Sequence, residues 1–167
     1  RCSSGPTAAL LAILAIFVVA LFHEVVGGGL LFWSDTHLTF EPLFGLLGEG
    51  LRSGSFLWNP LLESGKPVLA NPTQAVFYPP NLLFAVLDAP RALTVLSVLH
   101  VLLGAIGACL LSRRLELGGL PSLVAGLVVA GAGATLSVVP YHGLAWCAAW
   151  LPWLLVALDR LSHREHT

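Results

Sequence analysis

Two carboxylates and a histidine stand close together in the sequence, at the end of the first long apolar segment. They are Asp35, His37 and Glu41. A carboxylate at the mouth of a membrane cavity can act as a general base, or hold a divalent cation against a phosphate or diphosphate. We therefore take Asp35 and Glu41 as candidate catalytic residues, and Asp35 as the metal ligand if a cation takes part. The alternative is that Asp35 only ends a membrane helix among the lipid headgroups.

A second group of candidates depends on the segment 58–83, which is rich in proline, asparagine and aromatic residues. Irregular backbone cannot face hydrocarbon, because each unpaired N–H or C=O group would cost several kcal/mol. The segment must therefore lie at the membrane surface or line a protected cavity, where its side chains can contact a substrate. The candidate substrate-binding residues, including two histidines from elsewhere, are His37, Trp58, Asn59, Asn71, Tyr78 and His142.

Other polar residues within the apolar segments have two interpretations. His23 and Glu24 either pair with another helix or contact substrate, or else the first helix ends at Phe22 and a glycine-rich turn follows at the membrane surface. His100 falls in the middle of an apolar helix, where a histidine is more often a neutral hydrogen-bonding partner of another helix than a ligand. Small residues spaced four apart predict close helix contacts at Gly104 with Ala108 and at 126 with 130.

The composition indicates an integral membrane protein. Of 167 residues, 56% are hydrophobic and only 10% are charged, with a mean hydropathy of +0.85; soluble domains carry about 25% charged residues. The net charge of −1 and the absence of a basic stripe argue against a nucleic-acid partner. No phosphate-binding loop, nucleophile elbow or zinc motif is present in the sequence, so the catalytic motifs of soluble enzymes are not supported.

Hydropathy predicts an all-α polytopic membrane protein with about four transmembrane helices, because a crossing needs about 20 apolar residues. Residues 1–167 would form a single transmembrane domain. A further apolar segment, 73–87, is too short and is interrupted by two prolines, so we expect a re-entrant or interfacial element. The four predicted crossings are residues 7–26, 92–111, 120–139 and 143–158.

Arginine placement favours a cytoplasmic N-terminus, with five arginines inside and the loop 34–91 extracytoplasmic. The rival topology counts 73–87 as a fifth crossing and reverses the orientation, and charge alone does not decide between the two topologies.

Within the loop 34–91, residues 40–52 have helical periodicity and predict an interfacial helix, capped by Thr39, with Pro42 in its first turn. Its apolar face would be Phe40, Leu43, Phe44, Leu47 and Leu51, and its polar face Glu41, Gly45, Gly48 and Arg52.

Several runs resemble the YfhO-like bacterial membrane proteins, which are related to the GT-C superfamily of polytopic glycosyltransferases. The resemblance is carried by S-D-T-H-L-T-F-E-P-L at 34–43 and G-S-F-L-W-N-P-L-L-E-S-G-K-P-V-L-A-N-P-T-Q-A-V-F-Y-P-P-N-L-L at 54–83. It continues in L-H-V-L-L-G-A-I-G-A-C-L-L-S-R-R-L at 99–115 and A-W-C-A-A-W-L-P-W-L-L-V-A-L-D-R-L at 145–161.

The resemblance implies sugar transfer from a polyprenyl-phosphate carrier on the outer side of the bacterial cytoplasmic (inner) membrane. An acidic residue of the first outer loop would lie at the active site, a position that Asp35 matches, with Glu41 as a secondary candidate. Such enzymes usually have eight or more spans. Because only about four are predicted here and the later outer loops are missing, we expect this chain to be an N-terminal portion that is inactive alone; its lack of methionine indicates either processing or a piece of a longer protein. The alternative is a non-enzymatic subunit that handles or transports a lipid-linked sugar, or a membrane scaffold.

Overall fold

The computed structural model describes residues 4–31, 35–55, 58–60 and 64–164, and most of these residues are helical. Arg1 and the loop residues 56–57 and 61–63, which enter the predictions above, lie outside this range. Within the described residues, three helical segments are long and apolar enough to cross a membrane: Ala89–Arg114, Gly119–Val138 and His142–Ser162. A mostly helical chain of this kind agrees with the all-α membrane class, while a total of four crossings stays a prediction.

The elements follow one another along the chain in a simple order. The helices are α1 (Ser4–Leu21), α2 (His23–Val26), α3 (Glu41–Ser53), α4 (Ala89–Arg114), α5 (Gly119–Gly131), α6 (Gly133–Val138) and α7 (His142–Arg164). A π-helical turn, Thr36–Phe40, precedes α3, and a 3-10 helix, Pro79–Ala85, precedes α4. Two short strands, β1 (Trp58–Asn59) and β2 (Lys66–Pro67), pair in antiparallel fashion.

The chain divides into two compact units. We call residues 1–28 and 97–167 the bundle unit, and residues 29–96 the loop unit.

In the bundle unit, a Cβ added to Gly126 of α5 would lie 2.8 Å from a methyl carbon of Leu14 in α1 and 2.9 Å from the carbonyl oxygen of Ala105 in α4. Glycine at this position therefore allows three helices to approach one another closely. A Cβ added to Gly104 of α4 would lie 3.4 Å from Cα of Ala149 in α7, so the close contacts predicted at Gly104 and Gly126 are observed, while those of Ala108 and Ala130 stay a prediction.

Two of the predicted crossings are not continuous helices. The segment 7–26 divides into α1 and α2, because α1 ends at Leu21 and Phe22 leaves the helical conformation (φ −109°, ψ 33°). This agrees with the interpretation in which the first helix ends at Phe22. The segment 120–139 divides into α5 and α6, because Ala132 is extended (φ −64°, ψ 137°).

The loop unit is built on the packing of α3 against the 3-10 helix. The rings of Phe44 and Phe84 stack with their centroids 4.6 Å apart, and Arg52 Nη1 donates a hydrogen bond of 3.0 Å to the carbonyl oxygen of Phe84. The predicted apolar face of α3 is correct for Leu43, Phe44 and Leu47, which are buried. Gly48 was placed on the polar face and this was wrong, because the position is buried against the 3-10 helix.

The N-terminus of α3 also differs from the sequence-based prediction. Thr39 does not cap the helix, because it lies inside the π-helical turn that leads continuously into α3. Pro42 does fall in the first turn, as expected. The segment 73–87 forms turns and the 3-10 helix, so its described conformation is not that of a long crossing helix.

Candidate functional site

A groove of about 320 Å³ lies in the loop unit, between the C-terminal half of α3 and the β1–β2 hairpin. The polar and aromatic side chains that line it are those of Glu49, Ser53, Ser55, Trp58 and Asn59. Its size is at the lower end of the range of ligand pockets, which are typically about 300–1,000 Å³. A concave site that combines an aromatic ring, a carboxylate, an amide and hydroxyl groups is suited to a polyhydroxylated ligand.

The hairpin holds Trp58 in place. Trp58 and Asn59 of β1 are opposite Pro67 and Lys66 of β2. The indole lies against Gly65, where an added Cβ would be 2.6 Å from Cζ2 of the ring. Gly65 also has φ +113°, a conformation that glycine adopts at least cost. The indole remains 58% exposed, so it can offer an aromatic surface to a ligand while its position is fixed by the turn.

Glu49, on α3, supplies the carboxylate of the groove. One helical turn further on, Ser53 Oγ donates a hydrogen bond of 2.9 Å to the backbone carbonyl oxygen of Glu49. An ionised carboxylate accepts hydrogen bonds from sugar hydroxyls through both oxygens. Asn59, the second residue of β1, is almost completely buried, and an amide can both donate and accept hydrogen bonds.

The candidate catalytic residues Asp35 and Glu41 lie at the N-terminal side of α3. Asp35 is exposed and immediately precedes the π-helical turn. His37 Nδ1 and Glu41 Oε2 are hydrogen-bonded at 2.9 Å, and the side chain of Glu41 is largely buried. These three residues are not among those that line the groove. The structure therefore brings His37 and Glu41 together, and it places Trp58 and Asn59 at a different part of the same unit.

Two other predicted binding residues have local structural roles. Asn71 Oδ1 accepts a hydrogen bond of 3.0 Å from the backbone N–H of Thr73, which closes an Asx turn. Tyr78 immediately precedes the 3-10 helix, and its carbonyl oxygen accepts a hydrogen bond of 2.9 Å from the N–H of Asn81. Both residues shape the loop, and their contact with a substrate stays a prediction.

His142 belongs to the bundle unit, where it takes part in a buried polar cluster. Its Nδ1 is hydrogen-bonded to Ser97 Oγ at 3.1 Å. The ring of Trp146 lies beside it and stacks on His100 with a centroid separation of 5.1 Å. A cavity of about 40 Å³, lined in part by Ser97, His100 and Thr135, adjoins this cluster. That volume is enough for ordered water with polar partners. His100 is thus buried and stacks on an aromatic ring of α7, while its predicted hydrogen bond to another helix stays a prediction.

Three residues of structural importance in the loop unit escaped the sequence-based prediction. Glu49 was missed because an isolated carboxylate on an amphipathic helix has no distinctive spacing. Gln74 and Asn81 were missed although both are buried. Gln74 Nε2 donates to the carbonyl oxygen of Leu43 at 3.0 Å, and Asn81 Nδ2 donates to the carbonyl oxygens of Gln74 and Ala75 at 2.9 and 2.8 Å. Asparagine and glutamine in an apolar, proline-containing run were the available signal.

Comparison with known proteins identifies no relative: no family model, curated protein or solved structure matches the chain.

Among the described residues, no group of three or more His, Cys, Asp and Glu side chains has the arrangement of a metal site. A divalent cation at Asp35 is therefore a prediction that depends on that residue alone.

Proposed function

We propose that this chain is part of a membrane glycosyltransferase-like protein that binds a sugar carried on a polyprenyl phosphate and transfers it to an extracytoplasmic acceptor. The observation that supports the proposal best is the groove of the loop unit, in which the half-exposed ring of Trp58 faces the same space as Glu49 and Asn59. Aromatic rings contact the apolar faces of sugars, while carboxylate and amide groups hydrogen-bond their hydroxyls.

Transfer would take place by attack of an acceptor hydroxyl on the anomeric carbon. A new C–O bond forms to the acceptor, the bond to the lipid phosphate breaks, and its electron pair leaves with the phosphate. Asp35 takes the proton of the acceptor hydroxyl, or holds a cation that promotes its loss. Because the leaving group is already a phosphate, no general acid is required on the donor side. Glu41 orients His37 at the same end of α3.

The first test is sugar binding by the chain in liposomes, measured by saturation-transfer NMR with short-chain polyprenyl phosphates that carry different hexoses. Glu49→Gln should weaken binding by about tenfold or more, because a hydrogen bond to a charged group contributes about 1.5–3 kcal/mol. Trp58→Ala should also weaken binding, because it removes the aromatic face against which the sugar packs. Matched controls are Trp150→Ala and Glu24→Gln, which remove the same groups at exposed positions of the bundle unit and should leave binding unchanged. Equal binding by all four variants would overturn the assignment of the groove.

The second test is transfer by the whole protein in its own membrane. Asp35→Asn should abolish transfer without changing the amount of protein in the membrane, and undiminished transfer would exclude the proposed role of Asp35.

The alternative function is the handling or transport of a lipid-linked sugar without chemistry. It is favoured by one observation, namely that neither Asp35 nor Glu41 lines the groove. Under this alternative, the Trp58 and Glu49 variants lose sugar binding while Asp35→Asn has no effect.

A further inference from the structure

Three large apolar side chains of the segment 77–86 are exposed to the surroundings. Phe77 is 81% exposed, Leu82 64% and Val86 77%; we call these three residues the apolar ridge. Two other residues of the same segment are buried, with Asn81 0% exposed and Phe84 almost as inaccessible. Exposed apolar residues and buried residues therefore alternate along this segment, and Leu82 is the residue of the apolar ridge that lies within the 3-10 helix itself.

The apolar ridge belongs to a well-packed element. Phe84 stacks on Phe44, and its carbonyl oxygen accepts a hydrogen bond from Arg52. The side-chain amide of Asn81 fixes the preceding turn through two backbone carbonyls. Because these contacts hold the buried side in place, the outward direction of Leu82 is set by the fold of the loop unit.

The position of the apolar ridge in the chain indicates what covers it. Val86 is three residues before Ala89, the first residue of the candidate span α4. A residue extends the chain by at most about 3.6 Å, so Val86 lies within about 11 Å of the start of that helix. In the first turn of α4, Arg91 has a largely exposed guanidinium and forms a 3.5 Å ion pair with Asp88. A cation at this position is typical of the headgroup region at the end of a membrane span.

The backbone of this segment is also suited to a partly dehydrated environment. The first turn of a helix leaves N–H groups without partners inside the helix, and each such group is costly to remove from water. Pro79 and Pro80 occupy this first turn, and proline has no N–H. At the other end, the carbonyl oxygen of Leu83 accepts hydrogen bonds from the N–H groups of Val86 and Leu87. The segment can therefore enter the membrane surface at a reduced desolvation cost.

We infer that the apolar ridge inserts into the boundary between headgroups and acyl chains of the same bilayer that holds α4. Burial of a large apolar side chain is favourable by about 1.5–3 kcal/mol, so three such residues form a substantial anchor. The loop unit is then held against the membrane surface at two adjacent points, the start of α4 and the 3-10 helix. This inference is independent of sugar transfer, since it concerns the lipid surface and uses no residue of the groove.

The test is the depth of spin labels in the whole chain, reconstituted in liposomes of zwitterionic and anionic phospholipid. The native cysteines Cys2, Cys109 and Cys147 are replaced, and single cysteines are introduced in place of Phe77, Leu82 and Val86 in turn. Power-saturation measurements compare collisions with oxygen, which concentrates in the bilayer, and with a water-soluble nickel chelate. Controls in the same unit are cysteines at Ser64 and Thr73, two exposed polar positions.

Labels at the apolar ridge should show an oxygen-to-nickel collision ratio several-fold higher than labels at Ser64 and Thr73. Ratios equal to those of the controls would mean that the apolar ridge faces water, and would overturn the inference. Low collision rates with both reagents would also overturn it, because the apolar ridge would then be covered by protein, either a second copy or another polypeptide. Agreement among the three positions separates insertion from a local effect of one substitution, and failure of sugar binding would leave this result unaffected.

Discussion

Gly48 of α3 lies directly against the carbonyl oxygen of Phe84, so that a Cβ at this position would be 2.5 Å from that oxygen. The same oxygen accepts the hydrogen bond from Arg52, one helical turn further along α3. At about 100° per residue, Glu49 and Ser53 point away from this contact and into the groove. Helix α3 thus lies between the 3-10 helix on one side and the groove on the other.

Gly48→Ala should destabilise the loop unit by about 1–3 kcal/mol, the usual cost of forcing a methyl group into a packed contact. The clash is with backbone, which cannot move away as a side chain can. Gly45→Ala is the matched control, because nothing lies within 4 Å of its added Cβ and alanine favours the helix by up to about 1 kcal/mol. Hydrogen exchange of the amides of α3 should be faster in the first variant and unchanged or slower in the second. Equal exchange in both would contradict the close contact.

Asn81→Ala should open the turn that leads into the 3-10 helix. The substitution leaves the carbonyl oxygens of Gln74 and Ala75 without the side-chain donor that they share, at a cost of about 1–3 kcal/mol for buried groups. Asn71→Ala is the comparison, since it removes a partly exposed Asx turn in the same segment and should cost less. Amide exchange of residues 74–85 measures the difference. The structural role of Asn81 would be wrong if the two variants exchanged at the same rate.

Gly65→Ala should impair sugar binding through Trp58, because an added Cβ would collide with the indole ring. Gly54→Ala is the control. Both glycines have positive φ, +113° at Gly65 and +73° at Gly54, so both variants carry a backbone cost, on the order of 1–2 kcal/mol for an alanine in the left-handed region, but nothing lies within 4 Å of the Cβ at Gly54. Saturation-transfer NMR should therefore show weaker binding for Gly65→Ala alone. Parallel losses would attribute the effect to backbone strain and not to the ring.

Gly126→Ala should loosen the bundle unit, where the added methyl group would meet both Leu14 and the backbone of Ala105. We expect a loss of about 1–3 kcal/mol. Gly143→Ala, in the first turn of α7 with open space around its Cβ, should be nearly neutral. When Cys2 and Cys147 are both replaced by serine, the reaction of the buried Cys109 thiol with a maleimide on heating reports unfolding of this unit. A transition temperature unchanged by Gly126→Ala would argue against the three-helix contact.

Apolar length and periodicity were sufficient to predict the three long helical segments and the buried face of α3, because both follow from the pattern of hydrophobic residues. They failed at Gly48 and at Ala132 for a common physical reason. The hydropathy of a glycine such as Gly48 does not indicate whether another backbone packs against it. Likewise, the hydropathy of an alanine between two glycines, such as Ala132, is compatible with a membrane span whether or not the helix continues through it. Trp58 and Asn59 were found because proline and asparagine mark irregular backbone. The position of Glu49 in the groove depends on the β1–β2 hairpin, which packs near α3 from a later part of the chain. Such a tertiary contact has no signal in the local sequence around Glu49.

The interruption of the segment Gly119–Val138 at Ala132 has a consequence for how that segment meets lipid. An extended residue at mid-helix leaves the last carbonyls of α5 and the first N–H groups of α6 outside the regular ladder of hydrogen bonds. Such groups are tolerated at membrane depth only where protein shelters them or a hydrated space adjoins them. The small cavity beside His100 is lined by residues from both sides of the interruption, Val129 and Thr135. The backbone groups on either side of Ala132 thus lie next to a space large enough for an ordered water molecule, which is the kind of shelter that such groups need at membrane depth.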